Sequence, residues 1–264
     1  MATMTSRWSR RELPVGKLVW TLLPTGALLV LWQISSSLGW VDSFLASSPT
    51  RVLQATWLYA TQGTLWADLV TTGRLLGLAF VLSVLAATVV GLVVTRSAVA
   101  DAAIEPFVWF FYNAPTIAFI PLFMLWFGLG APTALALGVL LGFFPMYASV
   151  VGGIRSVEPV HLKLAKVLGH GELRTFRAVL LPGSLPHLMA GLRLSVGRCF
   201  VGIVAGEIFA ASSTGLGFRL RNHADRLQVD ASFAALLVIA LVALALGLVL
   251  RVLDTRCNRW RTMQ

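Results

Sequence analysis

Six long apolar runs constrain this chain more than any other feature. They fall at about Leu18–Leu38, Leu69–Val94, Ile104–Phe127, Ala131–Val151, Leu188–Ala210 and Ala231–Leu253. A bilayer core of about 30 Å needs about 20 apolar residues in helical form, and every run is that long. Backbone groups in lipid must be satisfied within the segment, so such runs fold as helices. The expectation is an all-α, polytopic membrane protein of six transmembrane helices, one membrane domain over 1–264. Charged residues make up 12% of the chain. A soluble domain carries about 25%, so lipid-facing surface has displaced solvated surface.

The basic residues set the orientation. With an even number of spans and a cytoplasmic N-terminus, fourteen Lys and Arg fall in inside segments and five in outside ones, the asymmetry that orients membrane proteins. Tails at 1–17 and 254–264 and a loop at 152–187 are then cytoplasmic. The net charge of +10 is spread over span ends, which speaks for topogenic charge and against nucleic-acid binding. The N-terminal apolar run lacks a small-residue cleavage site and reads as a retained anchor. Cys199 and Cys257 form no disulfide framework, and His161, His170, His187 and His223 are too scattered for a metal site. Pro115, Pro121 and Pro145 interrupt the third and fourth runs, as expected of helices that face protein or a cavity. Gly73/Gly77, Gly138/Gly142 and Gly202/Gly206 recur at four-residue spacing, which lets helix backbones approach closely.

The segment Leu162–Pro182, LKLAKVLGHGELRTFRAVLLP, holds Lys163, Lys166, Arg174 and Arg177. That charge density excludes it from lipid. Glu158-Pro159 reads as a helix start, and Val160, Leu164, Val167 and Leu168 form one apolar stripe at helical spacing. Gly169 closes that helix. Glu172–Leu181 reads as a second short helix, after which Pro182 and Pro186 bend the chain back to the membrane. A hairpin with apolar and basic faces either docks on a partner or lies on the anionic leaflet.

The spacing within this loop resembles that of the permease subunits of bacterial ABC importers. Their pattern is E-A-A, three residues, G, nine residues, then I-x-L-P. Here Lys163-Leu164-Ala165 is followed by three residues, Gly169, nine residues and Val179-Leu180-Leu181-Pro182. Ala165, Gly169, Leu181 and Pro182 match, Val179 is conservative, and Lys163 and Leu164 depart. The run Pro121–Gly128, Phe144-Pro145 with Gly152 or Gly153, Leu185-Pro186, Gly191-Leu192-Arg193, Gly197, Glu207 and Gly215-Leu216-Gly217 resemble the nitrate/sulfonate/taurine branch of that family. The resemblance implies a homodimer of this chain above two ATP-binding subunits. ATP and Mg would be bound by those subunits, and no cofactor by this chain. An external solute-binding protein, periplasmic or lipid-anchored, would deliver ligand at the bacterial inner membrane. It also implies that the loop, including His170 and Gly171, docks on the ATPase and drives alternating access.

The chain has no G-x-x-x-x-G-K-[ST] loop, so ATP hydrolysis is not expected of it and no catalytic residue is assigned. Candidates for a translocation path are polar, kinked or aromatic residues at membrane depth: Asn113, Pro115, Phe119, Phe144, Tyr147, Arg198 and Glu207. An aromatic-lined path suits a small anionic or planar organic solute. Arg198 either passes an anion, repels cations or bonds a backbone carbonyl at a helix break. A membrane-embedded enzyme would need clustered acids or histidines at one depth, whereas the acids here lie at span boundaries. A self-sufficient secondary transporter would show an inverted repeat, which the sequence lacks.

Overall fold

The structure, a computed structural model, describes residues 14–40, 42, 47–61, 64–210 and 212–257. Among them every regular element is helical. In order these are α1 (Pro14–Ser37), α2 (Pro49–Thr61), α3 (Thr64–Arg96), α4 (Ala98–Asn113), α5 (Ile120–Phe127), α6 (Ala131–Arg155), α7 (Pro159–Val167), α8 (Glu172–Thr175), α9 (Leu181–Phe209), α10 (Leu216–Asp225) and α11 (Val229–Cys257). Four stretches are long and apolar enough to cross a bilayer: α3, α6, Glu172–Phe209 and Val229–Val252. A fifth results if α4 and α5 count as one. The chain is thus a multi-pass membrane protein. Most of both expected tails, 1–13 and 258–264, lies outside the described residues.

The third apolar run is not the continuous helix expected over Ile104–Phe127. α4 stops at Asn113, and a 3-10 turn (Thr116–Phe119) leads into α5 with a bend of 100°. The cause is local. Pro115 forces Ala114 into extended backbone (ψ 141°), because the proline ring clashes with a helical predecessor. Pro145, by contrast, sits inside an unbroken α6.

The core is the contact between α6 and α9, with α3 laid across both. Lipid is as apolar as leucine, so close packing and interhelical hydrogen bonds hold membrane helices together, not the hydrophobic effect. Glycine supplies the closeness. A Cβ on Gly202 would stand 2.7 Å from the Leu137 carbonyl oxygen and 2.8 Å from Gly138 Cα; one on Gly138 would stand 2.7 Å from Ile203 Cδ1. Two serines then bond across the gap. Ser195 Oγ donates to the Gly142 carbonyl (2.8 Å), and Ser83 Oγ donates to the carbonyls of Ala79 (2.7 Å) and Val139 (3.0 Å). Leu76, Ala79, Val196, Cys199, Phe200 and Ile203 fill the rest. Gly73 and Gly77 correct the sequence reading: both are exposed on α3, with nothing within 4 Å of an added Cβ.

Pro182 and Pro186 also behave differently from expectation. They do not bend the chain; α8, a π turn (Phe176–Leu180) and α9 run on as one helix from Glu172 to Phe209. The π turn shifts the ladder by one residue, so that the Leu181 N–H reaches the Phe176 carbonyl. Pro182, which has no N–H to give, follows directly on this shifted turn.

These contacts predict a contrast between two glycines. Gly202→Ala is expected to destabilise the bundle by about 1–3 kcal/mol through overpacking, whereas Gly73→Ala leaves it unchanged. Thermal unfolding of the detergent-solubilised protein, followed by circular dichroism, measures both. Equal midpoints for the two variants would remove the close-packing account.

Candidate functional site

Three features converge on function: the α7–α8 hairpin, two cavities beside the α4–α5 break, and a buried polar network at the opposite end of the bundle.

The hairpin is built as its sequence dictates. Glu158 is the N-cap of α7, with Pro159 in the first turn. Gly169 (φ 71°) takes the left-handed conformation after α7. The His170 N–H bonds back to the Ala165 carbonyl and the Gly169 N–H to that of Lys166, both at 3.0 Å; this is the double-bonded glycine cap. Ala165 is buried under this turn. Gly171 caps α8, and Val179 lies half-buried in the π turn. The apolar stripe faces outward: Val160, Leu164, Val167, Leu168 and Leu173 are all exposed, Val167 to 84%. Lys163, Lys166, Arg174 and Arg177 are exposed among them, as are Leu181 and Pro182.

Pro115 and Arg198 meet at one cavity of about 250 Å³, walled by Thr116, Ile120, Leu137 and Leu141. The helix break makes this hollow, because α5 turns away where a straight helix would fill it. Arg198 lies 11 residues before the end of α9. At 1.5 Å per residue that is about 16 Å, close to mid-membrane. Its guanidinium has no hydrogen bond or ion pair among the described residues. Asn113 closes α4 by donating its side-chain N–H to the Trp109 carbonyl (2.8 Å).

A second cavity of about 360 Å³ lies between α4 and α6, nearer the hairpin end, lined by Tyr112, Phe144 and Tyr147 among others. An aromatic array runs between the two: Phe119 packs on Phe111 (centroids 5.7 Å), Phe111 stacks on Phe144 (6.5 Å), and Phe143 stacks on Tyr147 (5.8 Å). Three further residues on its walls escaped the sequence reading as site residues. Asp101 and Arg155 pair across it at 2.6 Å, and Glu105 lines it beside Trp109. The signal was available: Asp101, Glu105, Trp109 and Tyr112 share one helical face.

Glu207 does not join the other path candidates. It is 1% exposed at the far end of α9. Its carboxylate accepts from Thr72 Oγ1 (2.7 Å) and from the Gly217 N–H (2.8 Å). Beside it, Asp68 accepts from the Gly215 N–H (3.1 Å), Tyr59 Oη (2.8 Å) and Arg219 Nε (2.8 Å). The bond to Asp68 raises the Arg219 pKa, and burial, followed by the same carboxylate, raises that of Tyr59. Both shifts favour the forms present at neutral pH. Gly215 (φ 113°) and Gly217 have no Cβ, which leaves room for Glu207. The network staples the 212–217 loop and α10 to α3 and α9.

The described residues thus form a bundle of apolar helices of a multi-pass membrane protein, with a broken helix, two hollows beside it and an apolar, basic hairpin at one end. Residues 79–262 match the family described as binding-protein-dependent transport system inner membrane component, and the chain belongs to that family. It is 32% identical over 238 residues to the taurine transport system permease protein TauC of Escherichia coli, covering 88% of this chain and 86% of that one. It is 29% identical over 260 residues to the putative aliphatic sulfonates transport permease protein SsuC of the same organism, covering 98% and 96%. A probable ABC transporter permease protein of Haemophilus influenzae is 33% identical over 230 residues, covering 87% and 93%. The fold is similar to a chain of the inward-facing MetNI methionine ABC transporter, with TM-score 0.62, 15% identity and coverage of 76% of this chain and 97% of that one. The protein is a permease subunit of an ABC transporter. Its work is transport, and hydrolysis belongs to a partner ATPase.

Breaking the Asp68–Arg219 pair tests the network. Removing one partner of a buried ion pair costs about 3–5 kcal/mol, so Arg219→Leu is expected to lower the unfolding midpoint strongly. Glu207→Gln keeps one acceptor and costs about 1–3 kcal/mol. Native-state hydrogen exchange at 212–225 should rise in both variants; unchanged protection would remove the stapling role.

Proposed function

We propose that this chain is the membrane subunit of an ATP-driven importer for a small sulfonate-class anion. Two copies form the path, and two ATP-binding subunits, holding ATP and Mg, dock beneath. An external solute-binding protein, periplasmic or lipid-anchored, delivers the solute at the bacterial inner membrane. α1, 24 residues long, serves as the first of six spans, with both termini and the α7–α8 hairpin cytoplasmic. The excess of Lys and Arg on that side supports this topology.

The observation that carries the reading is the hairpin. Five large apolar side chains lie open beside four cations on the α7–α8 hairpin, whose second helix runs without a break into a membrane-spanning helix. A surface of that kind outside lipid is an interface awaiting its partner. Lys163, Leu164, Ala165, Gly169, His170, Gly171, Val179, Leu181 and Pro182 belong to it. ATP binding favours one of two packings of the bundle by moving this hairpin. Pro115, Phe119, Phe144, Tyr147 and Arg198 line the path, with Asn113 ending the helix beside it. The unpaired charge of Arg198 at mid-membrane supports an anionic solute, as do the substrates in the names of the taurine and aliphatic-sulfonate relatives.

Leu164→Glu changes an exposed side chain and leaves the bundle intact. It is expected to weaken co-purification with the ATPase at least tenfold, and wild-type association would sink the docking role. Arg198→Ala, reconstituted with its partners, is expected to lose at least tenfold of alkanesulfonate uptake; unchanged uptake would exclude Arg198 from the path.

A further inference from the structure

We propose that the 360 Å³ hollow between α4 and α6 recognises an organic ammonium group. Two helical faces meet there. Asp101, Glu105, Trp109 and Tyr112 come from α4; Phe144, Tyr147 and Arg155 come from α6. Arg155 is neutralised by Asp101 at 2.6 Å. Glu105 is left as a carboxylate with no hydrogen bond or ion pair among the described residues. Tyr147 lines the hollow, and its hydroxyl makes no hydrogen bond among the described residues. It lies within electrostatic reach of Asp101, Arg155 and Glu105.

The walls suit a cation. Tyr112 meets Trp109 edge-on (centroids 6.4 Å) and Phe144 edge-on (6.3 Å), so ring faces of different orientation border one space. Aromatic faces carry negative potential and hold alkylated ammonium groups. Glu105 supplies the full countercharge, and the Tyr147 oxygen an acceptor for an N–H. An anion would meet both the carboxylate and the ring faces. A metal ion would lack donors, since no group of three or more His, Cys, Asp or Glu is poised for one among the described residues. The volume falls in the range of small-molecule sites.

The ammonium belongs either to the transported solute or to a free amine entering from the hairpin side. The first alternative rests on the importer reading above, and the site itself does not. Calorimetric titration of the permease–ATPase complex in nanodiscs, with choline and its neutral isostere 3,3-dimethylbutan-1-ol, tests the site. Choline is expected to bind at least tenfold more tightly. Glu105→Gln should abolish that preference and Glu105→Asp retain it; Tyr112→Leu is the second variant should the first fail to fold. Equal binding of the two probes, or a preference that survives Glu105→Gln, overturns the proposal. Uptake into proteoliposomes separates the sources. A solute amine predicts that Glu105→Gln slows 2-aminoethanesulfonate but not ethanesulfonate. A free amine predicts that choline inside the vesicles alters uptake of both, in wild type alone. Uptake of neither sulfonate overturns the substrate reading and leaves the choline titration to decide the site.

Discussion

The close approach of α6 to α9 is the constraint on which the rest of the structure depends. At Gly202 and Gly206 the α6 backbone, and at Gly138 and Gly142 side chains of α9 and α3, come so near that a single methyl group has no room. Dispersion falls off steeply with distance, so this contact supplies packing that lipid cannot. It also places the Gly142 carbonyl within reach of Ser195. Everything functional hangs from this pair. α9 carries Arg198 and Glu207 and continues into the hairpin; α6 carries Phe144, Tyr147 and Arg155. α4 meets α6 through Ile104 and Val108, aromatic rings and the Asp101–Arg155 bond, with hollows beside these contacts.

Much of this was legible in the sequence, for physical reasons that vary by element. Apolar length alone marks the spans, because lipid permits little else. The hairpin was legible in detail: Glu158-Pro159 starts α7 and Gly169 ends it, since both steps rest on local backbone chemistry. What failed required knowledge of neighbours. Gly73 and Gly77 have the spacing of a packing motif but face outward. Pro182 and Pro186 read as breakers, and a π turn absorbs the first of them. Glu207 reads as a path residue because a carboxylate near a span end is conspicuous; its partners Thr72 and Gly217 are 135 and 10 residues away in the chain. The acidic face of α4 went unread because Asp101 and Glu105 look like ordinary boundary charges until α6 is set opposite.

The two cavities differ in the charge they carry. The hollow at the helix break has an unpaired guanidinium and mostly aliphatic walls. The hollow nearer the hairpin has an unpaired carboxylate and aromatic walls. Phe119, Phe111 and Phe144 bridge them. A simple anion would gain at the first hollow and lose at the second. A solute carrying both charges would meet a favourable group at each.

Continuity of the Glu172–Phe209 helix gives these local features a common mechanical frame. Its 38 residues extend about 57 Å at 1.5 Å per residue. One end bears α8 of the hairpin, Arg198 lies within, and the other end is held by the Glu207–Thr72–Gly217 bonds. A helix fixed at one end and pushed at the other pivots as a rod, and helix bending has few low-cost sites. The π turn at Phe176–Leu180 and Pro186 are such sites, but both lie on the hairpin side of the close approach of Gly191 to Ser149 and Met146 of α6, so the helix beyond it moves as one piece. Displacement of the hairpin therefore reaches the depth of Arg198 through covalent structure. The α4–α5 arm is attached by Ile104 and Val108 packed on the α3–α6 core, by ring contacts and by the Asp101–Arg155 pair, and the hollows lie beside it.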